Sequence, residues 1–249
     1  MSLIVYADFS SPECYVASRR VDALAAVAPV DWRAVESRPD LPVGGVPVSA
    51  EKRQELEAGF AALDEVLLAG EDVPWSAPAT TPRTQAAVSA WAELYDTPVA
   101  AEVRRLLFEL YWRGGADIGN PNVLRTPLTG PVLRAGAHSD PLREAGYAVA
   151  VNRGPITAGA YRRIRQWREE WQALDSPALP VVLVDGATLT GLEAVRRLGK
   201  EMVYRGVPVV PALEEPRRYP AIDGRPPKTW VSEIGGRWGN LYRPLAEAH

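Results

Sequence analysis

Cys14 is the only cysteine in this 249-residue chain. A lone thiol closes no intramolecular disulfide, and zinc sites built on several cysteines are excluded. Histidine is almost as scarce, with only His138 and His249, so no His-rich metal site and no bound metal is expected. No apolar run approaches the length that crosses a membrane. Nowhere are Lys and Arg dense enough for a nucleic-acid surface. The cluster Arg162, Arg163, Arg165 and Arg168 alternates with Trp and Glu, as on the solvated face of a helix. The first residues show no basic region followed by a long apolar stretch and a small-residue cleavage site, and the expectation is a soluble cytoplasmic protein. Internal repeats and low-complexity tracts are absent.

What is present is ordinary globular material: 47% hydrophobic, 24% charged, net charge −3. That length and composition suit one large domain, or a domain with a sizeable insertion, around a packed core. The short apolar run Leu3 to Ala7 reads as a buried strand. Helical spacing follows from Pro12 to about Val27, through Tyr15, Val16, Val21, Leu24 and Ala25. Asp31 to Glu36 alternates as a second strand does. A Pro/Gly loop, Arg38 to Gly45, precedes an amphipathic helix over Glu51 to Leu68, with Leu56, Phe60, Leu63 and Leu67 on one face.

After a loop from Val73 to Pro82, Gln85 to Leu94 and Pro98 to Arg113 read as helices. Asn120-Pro121 marks another helix start, and Gly136 to Tyr147 is helical or irregular. Thr157 to Ala173 is a strong helix. The turn-rich segment Asp175 to Pro180 enters a strand, Val181 to Val184. A tight turn at Asp185-Gly186 and a closing helix from Leu192 to Tyr204 follow. In the tail, Lys228 to Ser232 and Gly239 to Tyr242 suit a hairpin around Gly235-Gly236. The order strand–helix–strand, helical block, strand–helix predicts an α/β fold with a helical insertion.

The segment that carries most information is Ser11-Pro12-Glu13-Cys14, directly after the first strand. A strand, a turn and a Pro at the first helical position make a corner where free helix N–H groups face whatever sits at Ser11. A Cys-x-x-Cys pair there performs dithiol–disulfide chemistry. In this chain the first position is serine.

Four stretches together resemble the DsbA-like branch of the thioredoxin superfamily, which includes FrnE-type dithiol oxidoreductases, 2-hydroxychromene-2-carboxylate isomerases and kappa-class glutathione transferases. They are Val5 to Tyr15; Trp32-Arg33 through Pro39-Asp40-Leu41-Pro42; Leu106 to Trp112 with Asp117 to Leu124; and Leu179 to Gly186. The resemblance runs from about residue 3 to 204 and implies a thioredoxin fold with a large inserted helical domain. Residues 1–38 and 175–204 would form the thioredoxin-like part, 39–174 the mainly helical insertion and 205–249 a C-terminal extension. It also implies that Pro180 is cis and lies beside Ser11. Leu179 would then present a backbone edge to a peptide or to glutathione.

The same resemblance assigns candidate roles. Ser11, in the isomerase and transferase relatives, hydrogen-bonds the glutathione sulfur; the plainer alternative is a helix N-cap. Cys14 matches the resolving cysteine of the dithiol enzymes, with a small buried core residue as the plainer alternative. Catalysis is thus expected at Ser11 and Cys14, and substrate binding at Pro12, Leu179, Pro180 and Glu193. Glu193 would accept from the γ-glutamyl amine, next to Leu192 where relatives carry a serine. Glu13 places a charge that opposes a nearby thiolate. Trp75, Tyr111 and Trp112 are candidates for the cleft wall, although aromatics at helical spacing more often belong to a core. His138 reads as an ordinary surface residue, and Asp117 to Pro121 as a turn and helix cap.

Three functions remain open on these residues: a DsbA/FrnE-like thiol–disulfide oxidoreductase with a modified SPEC motif, a glutathione-dependent isomerase or transferase, and a non-catalytic peptide-binding descendant. No tightly bound cofactor is expected, with glutathione as the candidate co-substrate. The partner would be a small-molecule thiol or a peptide. Relatives are often dimers, so a homodimer fits, and the aromatic tail (Tyr219, Trp230, Trp238, Tyr242) reads as a dimer arm or a lid.

Overall fold

The computed structural model describes residues 3–71, 77–136 and 140–209. Within them the elements run β1 (Leu3–Ala7), α1 (Pro12–Leu24), β2 (Val30–Ala34), β3 (Val46–Pro47), α2 (Ala50–Asp64), β4 (Thr80–Thr81), α3 (Gln85–Leu94), α4 (Ala100–Trp112), α5 (Pro121–Arg134), α6 (Pro141–Glu144), α7 (Ala158–Gln172), β5 (Val181–Val184), β6 (Ala187–Thr190) and α8 (Gly191–Tyr204). Trp75, His138 and the tail aromatics lie outside the described residues.

β1 is central, which explains its unbroken apolar sequence. It pairs parallel with β2, from Leu3 opposite Val30 to Ala7 opposite Ala34. On its other side it pairs antiparallel with β5, from Ile4 opposite Leu183 to Tyr6 opposite Val181. The sheet order is β2-β1-β5-β6. Asp185 and Gly186, at φ 50° and 79°, form the tight two-residue turn between β5 and β6. The residues after that turn form a strand that sequence reading does not assign, because Ala-Thr-Leu-Thr is short and only half-buried. A two-residue bridge between β3 and β4 is likewise invisible in the sequence.

Helix starts follow local chemistry. Ser49, Asn120 and Thr157 each N-cap a helix with a side-chain oxygen. Of the segment Gly136 to Tyr147, the described residues include one short helical turn, Pro141–Glu144, capped by Asp140. The Leu-rich helix stops at Asp64 rather than Leu68, and its last residues continue as turns.

α1 lies against α8 and α4, and α3 packs between α4 and α7. Phe108 of α4 is the stitch between the inserted helices and the sheet. Its ring centroid lies 4.9 Å from Phe9, 5.7 Å from Tyr15 and 6.0 Å from Trp32. The chain thus forms a thioredoxin fold, with a mixed sheet interrupted by a helical region.

Candidate active site

The corner after β1 is built from the bottom up by Asp8, a residue that sequence reasoning passes over. Its side chain is buried at 1% exposure, where a carboxylate survives only with partners. One oxygen accepts from the Ser10 N–H and the Ser10 hydroxyl, both at 2.9 Å. The other accepts from the Ser37 N–H at 2.7 Å, the Ser37 hydroxyl at 2.6 Å and the Thr84 hydroxyl at 3.2 Å. Asp8 therefore ties the corner to the segment after β2 and to the start of α3. The available signal was an acid closing an apolar strand just before two serines, a turn-forming pattern.

Ser11 is the N-cap of α1, at φ −98° and ψ 129°, with Pro12 opening the helix. Its Oγ accepts from the Cys14 N–H at 3.1 Å and donates to Glu13 Oε2 at 2.8 Å. Ser11 and Glu13 are half-buried and Pro12 is buried. The capping role is thus present, on a residue that stays half-buried.

Cys14 lies beneath this corner, its thiol in hydrogen-bond contact with Ser11. It is fully buried, at 0% exposure, in the main core. Burial pushes its thiol far above the ordinary range; Ser11 and the Asp8 backbone oppose this only in part, and the charges of Glu13 and Asp8 add to it. A monothiol role needs an exposed, readily ionised sulfur. Cys14 has neither property and packs as a small core residue.

The Leu179-Pro180 peptide bond is cis. The β1–β5 register, continued one residue past Tyr6–Val181, sets Pro180 opposite Ala7 at the end of the strand leading to Ser11. Pro180 is buried and Leu179 half-buried. The Pro180 carbonyl accepts from the Gly191 N–H at 2.9 Å, which ties the start of α8 to this loop. Gly191 sits at φ +54°, a conformation that glycine adopts without penalty. Thr190 provides no side-chain cap there, and the exposed Glu193 occupies the first turn. Leu192 packs partly against the core.

Two of the aromatic candidates, Tyr111 and Trp112, belong to the interior. Tyr111 and Trp112 are 3% and 2% exposed. The Tyr111 hydroxyl donates to the Thr80 carbonyl at 3.1 Å, and the Trp112 indole N–H to the Phe9 carbonyl at 3.0 Å. They support the corner from beneath instead of lining a cleft. Tyr15, one turn into α1, donates to Glu109 Oε1 of α4 at 2.6 Å. Asp117 behaves as the expected turn residue, accepting from the Gly119 N–H at 3.0 Å, and Asn120 caps α5.

Among the described residues no group of three or more His, Cys, Asp or Glu side chains could hold a metal ion. No described helix is long and apolar enough to cross a membrane.

Comparison with known proteins agrees with the fold. The profile of the DSBA-like thioredoxin domain matches residues 2–137. Among solved structures, a 2-hydroxychromene-2-carboxylate isomerase is similar, with 16% identity, a TM-score of 0.54, and coverage of 83% of this chain and 96% of that one. The cytosolic disulfide reductase DsbM from Pseudomonas aeruginosa, solved with glutathione, is similar at 18% identity and a TM-score of 0.50, covering 83% of this chain and 98% of that one. No curated protein matches the sequence significantly.

Proposed function

The chain belongs to the DSBA-like thioredoxin domain family, and from that premise we propose that it uses a thiol co-substrate of the glutathione class, as an isomerase or transferase, instead of exchanging disulfides itself. One observation carries this reading. The position fronting α1 holds a half-buried hydroxyl, while the only thiol of the family motif is buried in the core. Disulfide exchange needs an attacking sulfur at the helix start, and the serine supplies none. A hydroxyl at the positive end of a helix can instead orient a sulfur brought by the ligand.

In this reading Ser11 positions the ligand thiol, the backbone of Leu179 pairs with the ligand's peptide-like portion, and Glu193 accepts from its amine. A glutathione-bound structural neighbour supports the choice of ligand class. That neighbour's cytosolic setting supports a cytoplasmic location.

Calorimetric titration of reduced and oxidised glutathione, into the wild type and Ser11→Ala, tests the proposal. Saturable binding of the reduced form, weakened about fivefold by Ser11→Ala, a loss of the size of one neutral hydrogen bond, supports it. Absence of binding at millimolar ligand sinks it and leaves the peptide-binding alternative.

A further inference from the structure

Ser11 has one hydroxyl proton and two lone pairs. The Cys14 N–H takes one lone pair at 3.1 Å, and Glu13 Oε2 takes the proton at 2.8 Å. A thiolate docked at Ser11 would need that same proton, since a sulfur anion can only accept. Glu13 also stands in the first turn of the same helix, where its negative charge opposes a second anion.

We propose that Glu13 competes with the bound ligand for the Ser11 proton, so that the co-substrate stays a protonated thiol near neutrality and ionises only at higher pH. This rests on the glutathione reading above. Glu13 is then a positioning residue that acts through Ser11.

Among the described residues the surrounding charges do not duplicate this role, and burial keeps the Cys14 thiol beside Ser11 protonated. Asp8, on the same loop, has both oxygens engaged by Ser10, Ser37 and Thr84. From α4, Glu109 is held by the Tyr15 hydroxyl and lies 3.5 Å from Arg113, while Arg104 and Arg105 reach Asp22 near the far end of α1. From α8, the charge at this end is Glu193. On the α2 side, the carboxylate that meets α1 is Glu71, bound to Arg20. Arg38, after β2, acts on Tyr111.

The test follows the ultraviolet thiolate band of the glutathione complex as pH rises, with the ligand-free protein subtracted and calorimetric affinities measured alongside. In the wild type the bound thiol ionises no earlier than a free cysteine thiol, at about pH 8.5. In Glu13→Gln the ionisation falls by about one unit, giving roughly tenfold more thiolate at neutral pH. Ser11→Ala combined with Glu13→Gln loses most of that gain, because the donor is gone and only the relief of charge remains. A wild-type complex already ionised at neutral pH overturns the proposal, as does a Glu13→Gln curve that matches wild type. A double variant that keeps the gain also overturns it, since the effect would then be charge alone. Failure of every form to bind glutathione removes the ligand reading itself, and this inference with it.

Discussion

The indole N–H of Trp112 donates to the carbonyl of Phe9 at 3.0 Å, so the end of α4 is fastened to the loop that presents Ser11. Trp112→Phe keeps the aromatic packing, including the edge-on contact with Phe60 at 5.9 Å, but orphans a buried carbonyl and leaves a small void. The expected cost is about 2–3 kcal/mol. Urea unfolding should show a lower midpoint with an unchanged slope; an unchanged midpoint would mean that water replaces the indole.

Asp8 gathers its donors from three segments, so its removal should loosen the corner and not only the fold. Asp8→Asn turns one acceptor atom into an NH₂ group facing N–H and O–H donors. We expect a loss of about 3 kcal/mol, the cost of leaving such donors unpaired. Thr84→Val, which removes only the 3.2 Å contact, should cost about 1 kcal/mol. Equal effects of the two variants in chemical denaturation would contradict this account.

Cys14 should resist an aromatic disulfide reagent in the folded protein at mildly alkaline pH and react once the chain is opened by denaturant. Its complete burial and raised ionisation leave unfolding as the route to the thiolate. The labelling rate should therefore rise with urea in parallel with global unfolding. Prompt stoichiometric labelling of the native protein would show an accessible sulfur.

Gly199 lies against a guanidinium that has nowhere to move. A Cβ at 199 would stand 2.8 Å from Arg20 Nη1 and 3.2 Å from its Cζ. Arg20 is fixed by the Val195 carbonyl at 2.5 Å, the Val66 carbonyl at 2.6 Å and Glu71 at 2.6 Å. Alanine is normally favoured over glycine inside a helix by about 1 kcal/mol. Here we expect Gly199→Ala to destabilise instead, by about 1–2 kcal/mol, because overpacking outweighs propensity. A gain in thermal stability would refute it.

Asp117 gives a pH dependence with a defined sign. Burial is the main influence on its carboxyl and raises it above the ordinary value, while the Gly119 N–H and Arg153 oppose the rise. A raised folded-state value means that the protonated form fits the fold better. The stability it contributes is complete below the unfolded-state value, about 3.9, and is lost as pH climbs through the folded value. Asp117→Asn, which can still accept from Gly119, should therefore be at least as stable as wild type at neutral pH, with the difference vanishing in acid. A deficit of the variant that grows toward neutral pH would reverse the argument.

Much of the frame was legible because local signals and burial agreed. β1 is apolar on both faces and reads as a buried strand. Ser11-Pro12 announces a helix, and Asp185-Gly186 announces a tight turn. The corner's support was not legible, because its partners are remote in sequence. Ser37 and Thr84 bond Asp8 across separations of 29 and 76 residues. The helical spacing around Tyr111 and Trp112 fits a cleft wall or a core equally well, and only the contacts of Trp112 with Phe9 and Phe60 and of Tyr111 with Thr80 decide for the core.

By itself, then, the sequence determined the family, the strand–helix corner and the replacement of the leading thiol by Ser11, since these depend on residue identity and short-range periodicity. The tertiary structure alone decided that Cys14 is sealed inside, that the Ser11 proton goes to Glu13, and that α8 is tied to the Pro180 loop. Burial and hydrogen-bond direction are properties of neighbours in space, and those neighbours are set by how the helical block closes over the sheet.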